Sequence, residues 1–97
     1  MITYTTLTKL MSIHSGMTIK QLAMLVYIDE NPDCTAEDIV QGTGINYSVV
    51  SKAIRVLSHQ GYAGYRGLNL VTISNSPTDF RTRIMRTSPT GEAALSV

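Results

Sequence analysis

One cysteine, Cys34, stands in 97 residues. It has no partner for an internal disulfide, so no disulfide framework staples the fold, and it reads as an incidental thiol beside a helix start. Long hydrophobic runs are missing too. The longest, Leu22 to Ile28, falls far short of the roughly 20 apolar residues that cross a bilayer. The N-terminus MITYTTLTKL lacks the basic start and small-residue cleavage site of a secretory signal, so a cytoplasmic protein with no membrane partner is expected. Also absent are a Gly-rich phosphate loop after a strand and a metal-spaced Cys and His set. The two histidines, His14 and His59, are distant in sequence, with no nucleophile beside them. No catalytic residue, metal ligand or cofactor is therefore expected, and the chain is not read as an enzyme.

What is present fits one globular domain spanning residues 1–97, with 43% hydrophobic residues and enough length for a single core. The net charge of +1 conceals a division. Residues 1–45 carry two lysines against five carboxylates, a net −3, whereas residues 46–97 carry Lys52 and five arginines against Asp79 and Glu92, a net +4. The second half is the one suited to a polyanion, although scattered arginines also serve simply to solvate a surface.

The chain is organised around Thr35 to Gly61, TAEDIVQGTGINYSVVSKAIRVLSHQG. Thr35 with Asp38 three residues later resembles a helix N-terminus. Gly42 and Gly44 bracket a tight turn, and Asn46 caps a second helix predicted over Tyr47 to His59. At about 100° per residue, Val50, Ala53, Ile54 and Leu57 gather on one side of that helix, and Ser48, Ser51, Lys52, Arg55 and His59 on the other. The spacing predicts a helix-turn-helix over about residues 35–60. A second helix of about 14 residues is about 21 Å long and fits the DNA major groove, where Ser, Lys and Arg reach base edges and phosphates.

Upstream, Leu7, Leu10, Met11 and His14 share one face of a short helix, with His14 a surface or packing residue. Thr18 caps a mostly buried helix to Glu30 whose inner residues are Ile19, Leu22, Ala23, Leu25, Val26 and Ile28, and Asn31-Pro32 stops it. Met11, Met17 and Met24 read as core filler. After Gly61 the period becomes extended. GYAGYRG leads into LNLVTIS, NSPTD is a turn by composition, and FRTRIMRT is a second strand. The result is a hairpin, or wing, over about residues 62–87, with Arg81 and Arg83 on one strand face and Ile84 and Arg86 on the other. Ser88 caps a last helix with Pro89 at its first position.

From Met17 to about Leu95 this order resembles the multiple-antibiotic-resistance regulator (MarR) family of winged-helix transcription factors. The resemblance rests on LSHQGY, on SPTDFRTR, and on TSPTGEAAL, which is similar to that family's Leu-Thr-x-x-Gly signature with Ser88 in place of the threonine. It implies that Arg81 of Asp79-Phe80-Arg81 enters the minor groove while Asp79 helps hold the wing. Two departures qualify the match. The stretch from Tyr65 to Ser76 exceeds the usual wing strand, which implies a bulge at Gly64 or Gly67 or an extra turn. The long dimerisation helices of the family are mostly missing, so no small-molecule effector is expected.

The expected fold class is mainly α with a small β-hairpin, a winged helix-turn-helix. The expected function is sequence-specific binding of double-stranded DNA as a small transcriptional regulator, a repressor. Tyr47, Ser48, Ser51, Lys52 and Arg55 would lie at the major groove, Arg81, positioned by Asp79, in or beside the minor groove, and Arg83 on phosphate. A homodimer built from Leu7, Leu10, Met11 and the final AALSV turn is expected. The alternatives are a winged-helix module that binds protein and a DNA-binding accessory of origins or recombination.

Overall fold

A computed structural model describes residues 3–13, 16–58, 67–79 and 81–95. Their elements are α1 (Tyr4–Ile13), α2 (Ile19–Glu30), α3 (Ala36–Thr43), α4 (Tyr47–Leu57), β1 (Val71–Asn75), β2 (Arg83–Thr87) and α5 (Pro89–Leu95). This is the mainly helical chain with one hairpin that the residue pattern predicts.

Polar side chains set where the helices begin. Thr18 accepts the Gln21 amide at 3.1 Å while Gln21 Oε1 accepts the Thr18 amide at 3.1 Å, and Thr35 and Asp38 form the same reciprocal box at the start of α3. Ser88 Oγ accepts the Gly91 amide at 3.0 Å and donates to the Asn69 carbonyl at 2.6 Å, fastening α5 to the segment before β1. Such boxes satisfy amides that the first helical turn leaves unpaired.

The core gathers one face from every element: Leu10 of α1, Met24, Leu25 and Ile28 of α2, Ile39 of α3, four residues of α4, and Leu70, Val71, Met85 and Ala94. The inner face predicted for α2 needs correcting. Ile19 is 86% exposed, Ala23 is exposed, and Leu22 and Val26 are half-buried, whereas Met24 is fully buried. The face of α2 carrying Met24, Leu25 and Ile28 joins the core. Its neighbours Ile19, Leu22, Ala23 and Val26 line an open apolar groove that ends at Tyr27, Glu30 and Thr43. Periodicity alone leaves that rotation undetermined. Met17 packs half-buried against the core, but Met11 is 61% exposed and is no core filler. On α1, Thr6 and Leu10 point inward while Leu7 stays 38% exposed. His14 lies outside the described residues.

Gly42 also departs from expectation. It sits in the last turn of α3, and a Cβ there would lie 2.6 Å from Tyr27 Cζ. The glycine therefore permits the close approach of α3 to α2. The turn itself is made by Gly44, whose φ of 74° is the left-handed conformation that glycine adopts without steric cost, and whose amide bonds the Val40 carbonyl at 2.9 Å.

The helix α4 ends at Leu57, short of the predicted His59, which lies outside the described residues. Ser58 is extended and forms a parallel bridge to Val71. The amides of Leu68, Asn69 and Leu70 bond the carbonyls of Val56, Ser58 and Leu57 at 2.8, 3.2 and 2.7 Å. Leu68 to Leu70 thus form a strap over the end of α4, where they satisfy carbonyls the helix leaves open. β1 and β2 pair antiparallel without a bulge, from Val71 opposite Thr87 to Asn75 opposite Arg83. Gly67 precedes the paired residues, and Gly64 lies outside the described ones. Cys34 bridges to Met85, tying the loop before α3 to the wing.

Candidate nucleic-acid interface

The helix α4 divides as its sequence predicts. Val50, Ala53, Ile54 and Leu57 are buried, Ser48, Lys52 and Arg55 are exposed, Ser51 is half-buried, and Tyr47 is 58% exposed at the first turn. Asn46 Oδ1 accepts both the Ser48 amide and the Ser48 hydroxyl at 2.8 Å, which aligns the start of the helix.

The wing turn is built around Asp79. Its Oδ1 accepts the Arg81 amide at 3.0 Å, its Oδ2 accepts the Thr82 hydroxyl at 2.9 Å, and its carbonyl accepts the Thr82 amide at 3.0 Å. Both carboxylate oxygens are engaged by the turn. Asp79 therefore shapes the backbone that carries Arg81, since short acidic side chains mimic a turn of backbone. One detail differs from the regular strand predicted: β2 begins at Arg83, so Arg81 projects from the turn and does not alternate with Arg83 along a strand face.

Between α4 and the wing lies a cleft of about 420 Å³. Tyr47, Ser51 and Arg55 line it from α4, and Arg81 and Arg83 from the wing. Residues about 30 positions apart in sequence are thereby brought to one site. Ser48, Lys52 and Asp79 do not line it; the first two occupy the exposed face of α4. Thr35 and Glu37, at the start of α3, and Thr82 add polar groups to the walls, beside the apolar Ala36, Ile54, Ile73 and Met85, and the sequence pattern assigned none of them a site role. The capping pattern marked Thr35 only as a helix start. Among the described residues Arg55, Arg81 and Arg83 have no ion-pair partner. The ion pair found there joins Arg86 to Asp33 at 2.8 Å, which engages a cation that strand composition alone counts toward DNA.

The thiol of Cys34 is 5% exposed, and burial, followed by the charge of Asp38, pushes its pKa up to about 11. It is a protonated packing group at neutral pH. Among the described residues no three His, Cys, Asp or Glu side chains are placed to share a metal ion, and no helix is long and apolar enough to cross a membrane.

With helix-turn-helix and wing in this arrangement, the pattern of the MarR family matches residues 15–65, just over half of the chain. The chain belongs to the MarR family. No curated protein matches its sequence. Among solved structures, the MarR-like fold recurs in BpsR of Bordetella bronchiseptica, at 22% identity and a TM-score of 0.70 over 93% of this chain and 60% of that one. A probable transcriptional regulator from Pseudomonas aeruginosa is similar at 24% identity and a TM-score of 0.69, over 93% of this chain and 63% of that one. FabT of Streptococcus pneumoniae, solved in complex with DNA, gives 18% identity and a TM-score of 0.64 over 80% of this chain and 49% of that one. The chain thus spans about half to three-fifths of the length of these structures. DNA binding by BpsR is regulated by 6-hydroxynicotinic acid, so the expectation that no small-molecule effector is involved finds no support among these neighbours.

Proposed function

We propose that the chain binds double-stranded DNA sequence-specifically as a transcriptional regulator, a repressor, with α4 in the major groove and the wing beside it. One observation carries this reading. Three arginines from two separate elements, Arg55, Arg81 and Arg83, line a single cleft without ion-pair partners among the described residues. Uncompensated guanidinium groups suit the phosphate backbone, which supplies most of the sequence-independent affinity for DNA. In this reading the exposed Ser48, Lys52 and Arg55 and the half-buried Ser51 of α4 reach base edges, and Tyr47 stands at the end of the helix that enters the groove first. Arg81, on a turn held by Asp79, is the side chain for the minor groove, and Arg83 the one for phosphate. The protein-binding alternative needs a continuous apolar strip on this face, and the exposed positions Ser48, Lys52 and Arg55 interrupt it.

A homodimer goes with this reading. Tyr4, Leu7 and Met11 stand 81%, 38% and 61% exposed on α1, while Leu10 packs inward. An apolar face of this kind suits a two-fold partner that sets two recognition helices about one DNA turn apart. The deciding experiment is selection of bound duplexes from a random DNA pool. A two-fold symmetric motif is the expected result, and failure to enrich any duplex would remove the proposal.

A further inference from the structure

The described walls of the cleft carry one carboxylate, that of Glu37, together with the three arginines. Glu37 and Asp38 both lie in the first turn of α3, where the partial positive charge of the helix N-terminus favours acids. Their situations differ. The Asp38 carboxylate accepts the Thr35 amide at 3.0 Å and completes the capping box, so its place in the sequence follows from the fold. Glu37 is exposed, and among the described residues its carboxylate has neither a hydrogen bond nor an ion pair. A side chain with no structural partner, set into the wall of a cationic cleft, acts chiefly on the anion that enters.

We propose that Glu37 is an affinity-setting counterweight: it repels backbone phosphate in the cleft, weakens binding to every duplex by a similar factor, and leaves sequence choice to the base contacts of α4. This rests on the DNA-binding reading above. Attraction between arginine and phosphate does not depend on sequence. Arg83 on phosphate, with the positive potential of Arg55 and Arg81 beside it in the same cleft, therefore prolongs residence on any duplex. One opposing carboxylate lowers the formal charge of the cleft lining from +3 to +2. Glu37 and the three arginines line one cleft of about 420 Å³, and charges closer together than the Debye length of about 10 Å at 0.1 M salt are only partly screened from one another. The carboxylate also retains a cation when DNA binds, which reduces the net counterion release that drives association. In the helix-turn-helix docking geometry the first helix of the motif crosses the DNA backbone, which places the start of α3 beside phosphate.

The test is Glu37→Gln, which keeps side-chain size and removes the charge. Binding is followed by fluorescence anisotropy across a salt series, with one random-sequence duplex and one duplex enriched by selection. At about 0.1 M salt the variant should bind both duplexes about three- to tenfold more tightly, with a log–log salt slope steeper by up to about one. Asp38→Asn serves as the control for a merely structural role: it should lower the thermal midpoint without tightening either complex. Unchanged affinity of Glu37→Gln for both duplexes would overturn the proposal, and so would a change confined to the selected duplex, which marks a base contact. A wild-type chain that binds neither duplex would remove the DNA reading itself, and this proposal with it.

Discussion

Arg86 of β2 and Asp33 of the loop before α3, 53 positions apart, form a two-point ion pair, with Nε to Oδ1 at 3.1 Å and Nη2 to Oδ2 at 2.8 Å. Asp33 holds a φ of 65°, a left-handed conformation that aspartate tolerates better than most residues. Its amide bonds the Met85 carbonyl at 2.9 Å, and the Met85 amide bonds the Cys34 carbonyl at 2.8 Å. Side chain and backbone together fasten the wing to the helix-turn-helix.

Arg86 and Arg83 should therefore behave differently in DNA binding. Arg83→Ala is expected to weaken binding to all sequences alike and to flatten the log–log salt slope by about one. Arg86→Ala should leave that slope unchanged, because its guanidinium is held by Asp33. Equal slopes in the two variants would contradict the assignment.

On α4, Arg55→Ala should cost about 1 to 3 kcal/mol of binding and relax preference at one base position if the guanidinium pairs with a base. A folded Arg55→Ala, Lys52→Ala double variant with unchanged affinity and sequence preference would place the interface elsewhere.

Gly91 sets how closely α5 lies to the strap before β1. A Cβ there would collide with the Leu70 carbonyl oxygen and lie 2.7 Å from Thr87 Cγ2, and neither the backbone nor a buried threonine yields cheaply. Gly91→Ala is expected to destabilise by about 1 to 3 kcal/mol, as overpacking usually does. Urea denaturation monitored by circular dichroism provides the measurement.

The raised pKa of Cys34, about 11, has two consequences. The native thiol should resist an alkylating reagent at pH 8 and react at the ordinary rate once unfolded. Its folded pKa exceeds the unfolded value, so the folded state holds the proton more tightly. The associated stability is complete below the unfolded pKa near 8.5 and is lost as pH rises toward about 11. Denaturant midpoints should fall across that window, and Cys34→Ser should fall less.

For assembly, a Leu7→Asp, Met11→Asp variant should sediment as a monomer at micromolar concentration while keeping its helical circular dichroism, because neither side chain belongs to the buried core. A wild-type monomer that binds a half-site one-to-one would remove dimerisation from the mechanism.

The sequence by itself determined the helix starts, the division of α4 and the order of elements, because these depend on neighbours within a turn or two. Thr18, Thr35, Asn46 and Ser88 act on amides two or three residues ahead, and the amphipathic spacing of Val50, Ala53, Ile54 and Leu57 is a property of one helix. Tertiary structure decided what depends on distant partners. The face of α2 was settled by which side met α3, α4 and the wing. Gly42 leaves room for the Tyr27 ring that packs over it, and the carbonyls at the end of α4 are taken up by the amides of Leu68 to Leu70. The pairing of Arg86 with Asp33, and the meeting of Glu37 with three arginines in one cleft, join residues that no local pattern relates. Electrostatic and packing contacts act through space, and only the folded path of the chain sets those distances.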